Sequence, residues 1–258
     1  MLLCLPANLA AMCGLHDIRG YDDVDPQRLI DLVSIAAHPN SPKYSYALTQ
    51  VLMPRASLTP EGDAKLSPVL DMLGVQYVIF RGTPLPGARP AFQGPDYWVL
   101  VNPAVLPRVF IPRRVESAPD KDVRLKKLAS PQFDPRDVAY VEAPIQSPAT
   151  CRGKAQIIHE VPTRITISVN METPGLVVLA DLWDKGWQAC LDGTRVPILR
   201  ANHAIRGVLV PPGSATLEFR YEPASFAWGL MLSGGSSVVL LSWLAIVLRK
   251  RRFGVSGQ

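Results

Sequence analysis

The pattern of apolar and polar positions changes several times along this chain, and each change marks a different kind of element. Leu29, Ile30, Leu32, Val33 and Ile35 give a broad apolar face at helical spacing. Asp25 is placed to cap that helix with Pro26 at its first position, and Pro39-Asn40 to stop it. A second short helix is predicted from Ser67-Pro68 to Gly74, feeding a strand from Val75 to Phe80. Tyr97 to Val101 and Arg108 to Ile111 read as further strands around the Asn102-Pro103 turn, so residues 1–113 form an α+β unit. A connector over 114–149 holds a helix near Asp122 to Leu128 and a strand from Val138 to Glu142, ending at Pro144 and Pro148.

Beyond residue 150 the period becomes two. Ile165, Ile167 and Val169 alternate with Thr166 and Ser168, and Leu217, Phe219 and Tyr221 alternate with Glu218 and Arg220. Between them lie apolar runs at Leu176 to Ala180, Trp187 to Leu191, Arg195 to Leu199 and Ile205 to Val210. The two-residue turn Asp192-Gly193 suits a tight hairpin. These features predict a β-sandwich over 150–222. The fold class expected is mainly β with α+β: an N-terminal α+β unit, a C-terminal β-sandwich, then one transmembrane helix.

That helix is predicted from the stretch 223–248, which carries no ionisable residue. A bilayer core about 30 Å thick needs roughly 20 apolar residues in helical form, and this run supplies them. The small residues Ser233-Gly234-Gly235-Ser236-Ser237 suit contact with another helix. Arg249-Lys250-Arg251-Arg252 open a basic tail, 249–258, which the positive-inside rule keeps in the cytoplasm, leaving 1–222 outside it. The tail also supplies four of the five net positive charges. The remaining cations are scattered among acids, which argues against a nucleic-acid surface. Arg124-Leu125-Lys126-Lys127 is expected to be the solvated face of a short helix.

Candidate chemistry is sparse. Cys4, Cys13, Cys151 and Cys190 fit no metal pattern. In an oxidising compartment three pairings are possible, the local one joining Cys4 to Cys13 and Cys151 to Cys190; free buried thiols are the other reading. No phosphate loop, HExxH pair or GxSxG elbow is present, so no catalytic, cofactor or metal residue is predicted. Asp17, Arg19, Tyr21 and Asp22 form a dense polar and aromatic group, read either as contacts for a sugar or phosphate or, preferably, as a loop held by Arg to carboxylate bonds. Trp183 and Trp187 flank Asp184-Lys185-Gly186 and offer an aromatic platform for a sugar ring. The alternative, favoured because strand aromatics usually face a core, buries Trp187 in the sandwich and packs Trp183 at the loop. His203 and His159 read as isolated.

The order of motifs in the second half resembles a known family. Leu179 to Gly193, Arg200-Ala201-Asn202, Arg206 to Gly213 and Glu218 to Pro223, followed by a final membrane helix, resemble the C-terminal part of YfhO-like bacterial membrane proteins. Leu5 to Asn8, Asp17 to Asp22, Leu73 to Val78 and Leu106-Pro107-Arg108 look like the extracytoplasmic region of the same family. The resemblance implies a glycosyltransferase-C-type protein of the bacterial inner membrane, moving sugar from a polyprenyl-phosphate donor onto cell-envelope polymers. It further implies that this region is a non-catalytic accessory. The partners it suggests are membrane lipid, a cell-envelope glycan and a multi-helix membrane segment, upstream or separate. The first twenty residues carry no basic n-region before an apolar core, so delivery of the domain across the membrane is expected to depend on such a segment. The alternative is a membrane-anchored module that binds carbohydrate or protein.

Overall fold

The computed structural model describes residues 9–12, 14–18, 25–39, 41, 49, 53–145 and 150–254. A helical turn, α1 (Leu9–Met12), precedes α2 (Gln27–Ala36), which buries Ile30, Leu32, Val33 and Ala36 as its spacing requires. Asp25 does not cap this helix. Its carboxylate accepts from the Thr49 amide and hydroxyl at 3.2 and 2.8 Å, and extended Pro26 occupies the cap position instead. A short ladder, β1 (Ser57–Leu58) with β2 (Ala64–Lys65), leads to α3 (Pro68–Met72). Here the predicted start holds: the Ser67 hydroxyl accepts from the Val69 amide, Pro68 follows, and Gly74 at φ +76° ends the helix in the left-handed region.

Strand β3 (Tyr77–Arg81) pairs with β5 (Tyr97–Val101), which also carries β4 (Phe92–Gln93). The strand begins two residues later than the apolar run because the Val75 amide is still bonded to the Leu70 carbonyl. The inner face of this small sheet stacks Phe80 on buried Trp98, with ring centroids 4.5 Å apart. The outer face shows Tyr77, Phe92 and Tyr97 to solvent.

The remaining strands build a sandwich. They are β6 (Val109–Phe110), β7 (Arg114–Ser117), then, after α4 (Lys121–Leu128), β8 (Val138–Val141), β9 (Gly153–Val161), β10 (Arg164–Met171), β11 (Gly175–Leu182), β12 (Trp187–Leu191), β13 (Thr194–Val196), β14 (Leu199–Ala201), β15 (Ile205–Val210) and β16 (Gly213–Tyr221). One sheet has the order β13-β12-β16-β10-β9 and the other β6-β11-β15-β14-β8-β7, with β7 and β8 parallel. The second sheet draws strands from before residue 113, from the connector and from beyond residue 150, so it spans both boundaries of the connector.

The burial of each sheet explains the pattern of its strands. In the five-stranded sheet Ile165 lies opposite Phe219 and Ile167 opposite Leu217, all facing one core, which gives clean alternation. The six-stranded sheet is covered on both sides. Val177, Leu179, Val208 and Val210 face the other sheet. Leu176, Val178 and Ile205 face a second core shared with Leu32 of α2, Met72 of α3 and Leu128. Hence β11 is apolar without interruption from Leu176 to Leu179. The Asp192-Gly193 hairpin forms as predicted, with φ of +48° and +81°.

Cys151 and Cys190 are both free thiols, as the second reading of the cysteines has it, and not paired with each other. Cys151 packs in the core beside α2 and α3, whereas Cys190 lies on β12 in the other sheet. Cys4 and Cys13 lie outside the described residues. The last element is α5 (Ala224–Gly254), of which Ala224–Ile246 is long and apolar enough to cross a membrane and has no part buried against the protein.

Candidate functional site

Of the predicted contact residues, Asp17 is half-buried after α1, and Arg19, Tyr21 and Asp22 lie outside the described residues. Trp183 and Trp187 are brought together at one cleft. Strand β11 ends at Leu182, and the Trp183 amide donates to the Ala204 carbonyl at 2.7 Å while its indole N–H reaches the Ile198 carbonyl at 3.4 Å. The Asp184 carboxylate accepts from the Gly186 amide at 2.8 Å and closes the turn that delivers Trp187 to β12. Between this turn and the β13 hairpin lies a cleft of about 240 Å³, whose lining includes Trp183, Lys185, Trp187, Gln188 and Arg195 together with the apolar Ala189, Val196, Pro197 and Ile198.

Neither tryptophan is fully buried, which corrects the core reading of Trp187. Trp187 sits at the end of its sheet, opposite Tyr221, so only part of it meets the core while the rest faces the cleft. Each indole carries a guanidinium on its face: Arg200 lies 3.7 Å from the Trp183 centroid and Arg206 lies 4.0 Å from that of Trp187. Arg206 is 2% exposed, and burial pushes its pKa down to about 10, so it remains charged at neutral pH. Its Nη2 donates to Asp181 at 2.6 Å, and Asp181 is also held bidentately by Arg108 at 2.7 and 2.9 Å. Among the described residues the Nε and Nη1 of Arg206 have no hydrogen-bond partner. The guanidinium, paired with Asp181 through Nη2, is further met by the face of Trp187.

A second polar assembly was not legible in the sequence. Arg124, expected on a solvated face, is 1% exposed. Its Nη1 donates to the carbonyls of Ala118, Pro119 and Asp120 at 2.5, 3.1 and 3.4 Å, and its Nη2 pairs with Glu142 at 2.8 Å. The same guanidinium meets Nδ1 of His203 at 3.1 Å, and His203 Nε2 lies 3.0 Å from Asp31. An arginine only donates, so Nδ1 accepts and the proton sits on Nε2, directed at Asp31. His203 is therefore not isolated: it links α2, α4 and the β14–β15 turn, where Asn202 and His203 adopt φ of +45° and +79°. Arg28 and Arg200 also reach Glu142, and Lys121 reaches Asp31 at 2.8 Å.

Burial lowers the pKa of His203, outweighing the opposing bond to Asp31, and Arg124 and Arg28 push the same way. Burial works to raise the carboxyls of Asp31 and Glu142, but hydrogen bonds from Lys121, Gln27 and His203 in one case and the pull of Arg28, Arg124 and Arg200 in the other leave both lowered. Each ionised group has an opposite partner, and the assembly works as a clamp between helices and sheet. The available signal was local: Asn202-His203 is a pair that tolerates the left-handed region between two strand patterns.

Among the described residues no three His, Cys, Asp or Glu side chains gather as a metal site would require. Compared with family models, characterised proteins and solved structures, the chain matches none.

Proposed function

We propose that this chain is a membrane-tethered accessory module that touches sugar through the Trp183–Trp187 cleft and leaves bond-making chemistry to another part of a YfhO-like sugar transferase. The supporting observation is the cleft itself: two half-buried indoles held about a polar groove that opens to solvent, each oriented by an arginine. Sugar C–H faces pack on indoles, and Gln188 and Lys185 add hydrogen-bonding groups at the rim. In this reading the module lies outside the bacterial inner membrane, α5 crosses it, and the basic tail is cytoplasmic.

Saturation-transfer NMR on the full chain in nanodiscs, with neutral oligosaccharides of bacterial cell-envelope polymers, tests the reading. Transfer to ring C–H protons that is lost in Trp183→Ala is expected. Absence of transfer across the panel would overturn it. The outer face of the β3–β5–β4 sheet, with Tyr77, Phe92 and Tyr97 exposed, favours a second reading as a protein-interaction module.

A further inference from the structure

The cleft stands at the joint between the sandwich and the membrane helix. The Glu222 amide donates to the Gly186 carbonyl at 2.7 Å, and a Cβ on Gly186 would lie 3.1 Å from Cβ of Pro223, one residue before α5 begins. The Asp184-Lys185-Gly186 turn is therefore packed against the start of a helix whose apolar surface needs a bilayer. Where Ala224 enters the hydrocarbon, the cleft rim lies at headgroup level. Its two rim cations, Lys185 and Arg195, are exposed and form no ion pair among the described residues, unlike the arginines behind the indoles. Among the described residues no carboxylate lines the cleft.

Resting on the reading of α5 as a membrane anchor and of the cleft as a ligand site, we propose that the cleft binds the phosphate of an anionic bilayer lipid, with Lys185 and Arg195 on the phosphate and Trp183 and Trp187 against the headgroup and its glycerol. Cations near a membrane surface each add a modest attraction to anionic lipid, and tryptophan favours the same depth. A site this small suffices because the anchor holds it among the headgroups at high local concentration. Headgroup capture fixes the tilt of the sandwich over the bilayer, with the cleft turned towards the leaflet.

The test is hydrogen–deuterium exchange of the full chain in nanodiscs of phosphatidylcholine alone or mixed with phosphatidylglycerol. Residues 183–198 are expected to exchange about tenfold more slowly with phosphatidylglycerol present. The difference should vanish in Lys185→Glu/Arg195→Glu, whose exposed positions leave the core intact. Equal exchange in both lipids overturns the proposal. Protection in phosphatidylcholine on adding inorganic phosphate, without an effect of phosphatidylglycerol, overturns the lipid as the source. Sugar saturation transfer measured on the unaltered chain separates the two readings: if it is seen while the phosphatidylglycerol effect is absent, only the lipid proposal falls.

Discussion

Replacing Arg124 by methionine removes the charged end of a fully buried side chain while keeping most of its aliphatic volume, so the cost reflects lost polar contacts. The Ala118 carbonyl, which accepts from Arg124 Nη1 at 2.5 Å, is left without that donor, at about 1–3 kcal/mol for a buried acceptor. His203 loses the donor facing Nδ1, about another 1 kcal/mol. Glu142 keeps Arg28 and Arg200, so its charge is not abandoned and the lost pair counts on the scale of a partly exposed one, about 1 kcal/mol. The total is about 3–5 kcal/mol, within the range for breaking one side of a buried ionic group. In a domain of this size that corresponds to a fall in Tm of about 6–20 °C, read by near-UV circular dichroism of the full chain in detergent micelles. Lys126, exposed on the same helix, supplies the control: Lys126→Met should stay within about 0.5 kcal/mol. Equal losses for the two variants would refute the buried clamp.

Three further outcomes are expected. His203 is held neutral with a lowered pKa, so the unfolded chain takes up a proton that the folded one resists. Stability should be full above about pH 6.5 and fall as pH drops through the folded value; Tm measured between about pH 7 and pH 5 should slope less in His203→Gln, and equal slopes would count against it. Gly186→Ala places a methyl 2.7 Å from the Tyr221 ring and should cost about 1–3 kcal/mol in chemical denaturation, whereas Gly186 reached by solvent would tolerate it. With Cys4, Cys13, Cys151 and Cys190 replaced by serine, a cysteine at exposed Thr194 should react with an impermeant thiol reagent on intact cells when a leading membrane segment precedes the chain; protection there would reverse the proposed orientation.

Strands that face one core were readable because alternation records a single buried side, as at Ile165, Ile167, Leu217 and Phe219. The layer order was not, since the unbroken run of β11 is compatible with any element buried on both sides. Nor does local sequence reveal that short strands at 109–110, 114–117 and 138–141 join a sheet with residues beyond 175. The tryptophan pair was legible as a choice between core and platform, and the structure divides the difference: Trp187 touches both. Arg124 was misread because a cation in a basic run normally faces water, and only the folded chain brings Glu142, His203 and three carbonyls around it. Asp25 was misassigned for a similar reason, as its partner Thr49 lies 24 positions away.

Helix α5 joins the sandwich through β16, an inner strand of its sheet. This strand holds β10 along eight residue pairs on one side and β12 along five on the other. A force drawn along the strand from α5 must shear both ladders together, because their hydrogen bonds lie across the direction of pull and none can open ahead of the rest. A tether on an outer strand would peel. Mechanically, then, helix and sandwich behave as a stiff lever, and a tilt or piston movement of α5 is delivered to the middle of the β-sheet and to the turn carrying Trp187 before any loop can absorb it.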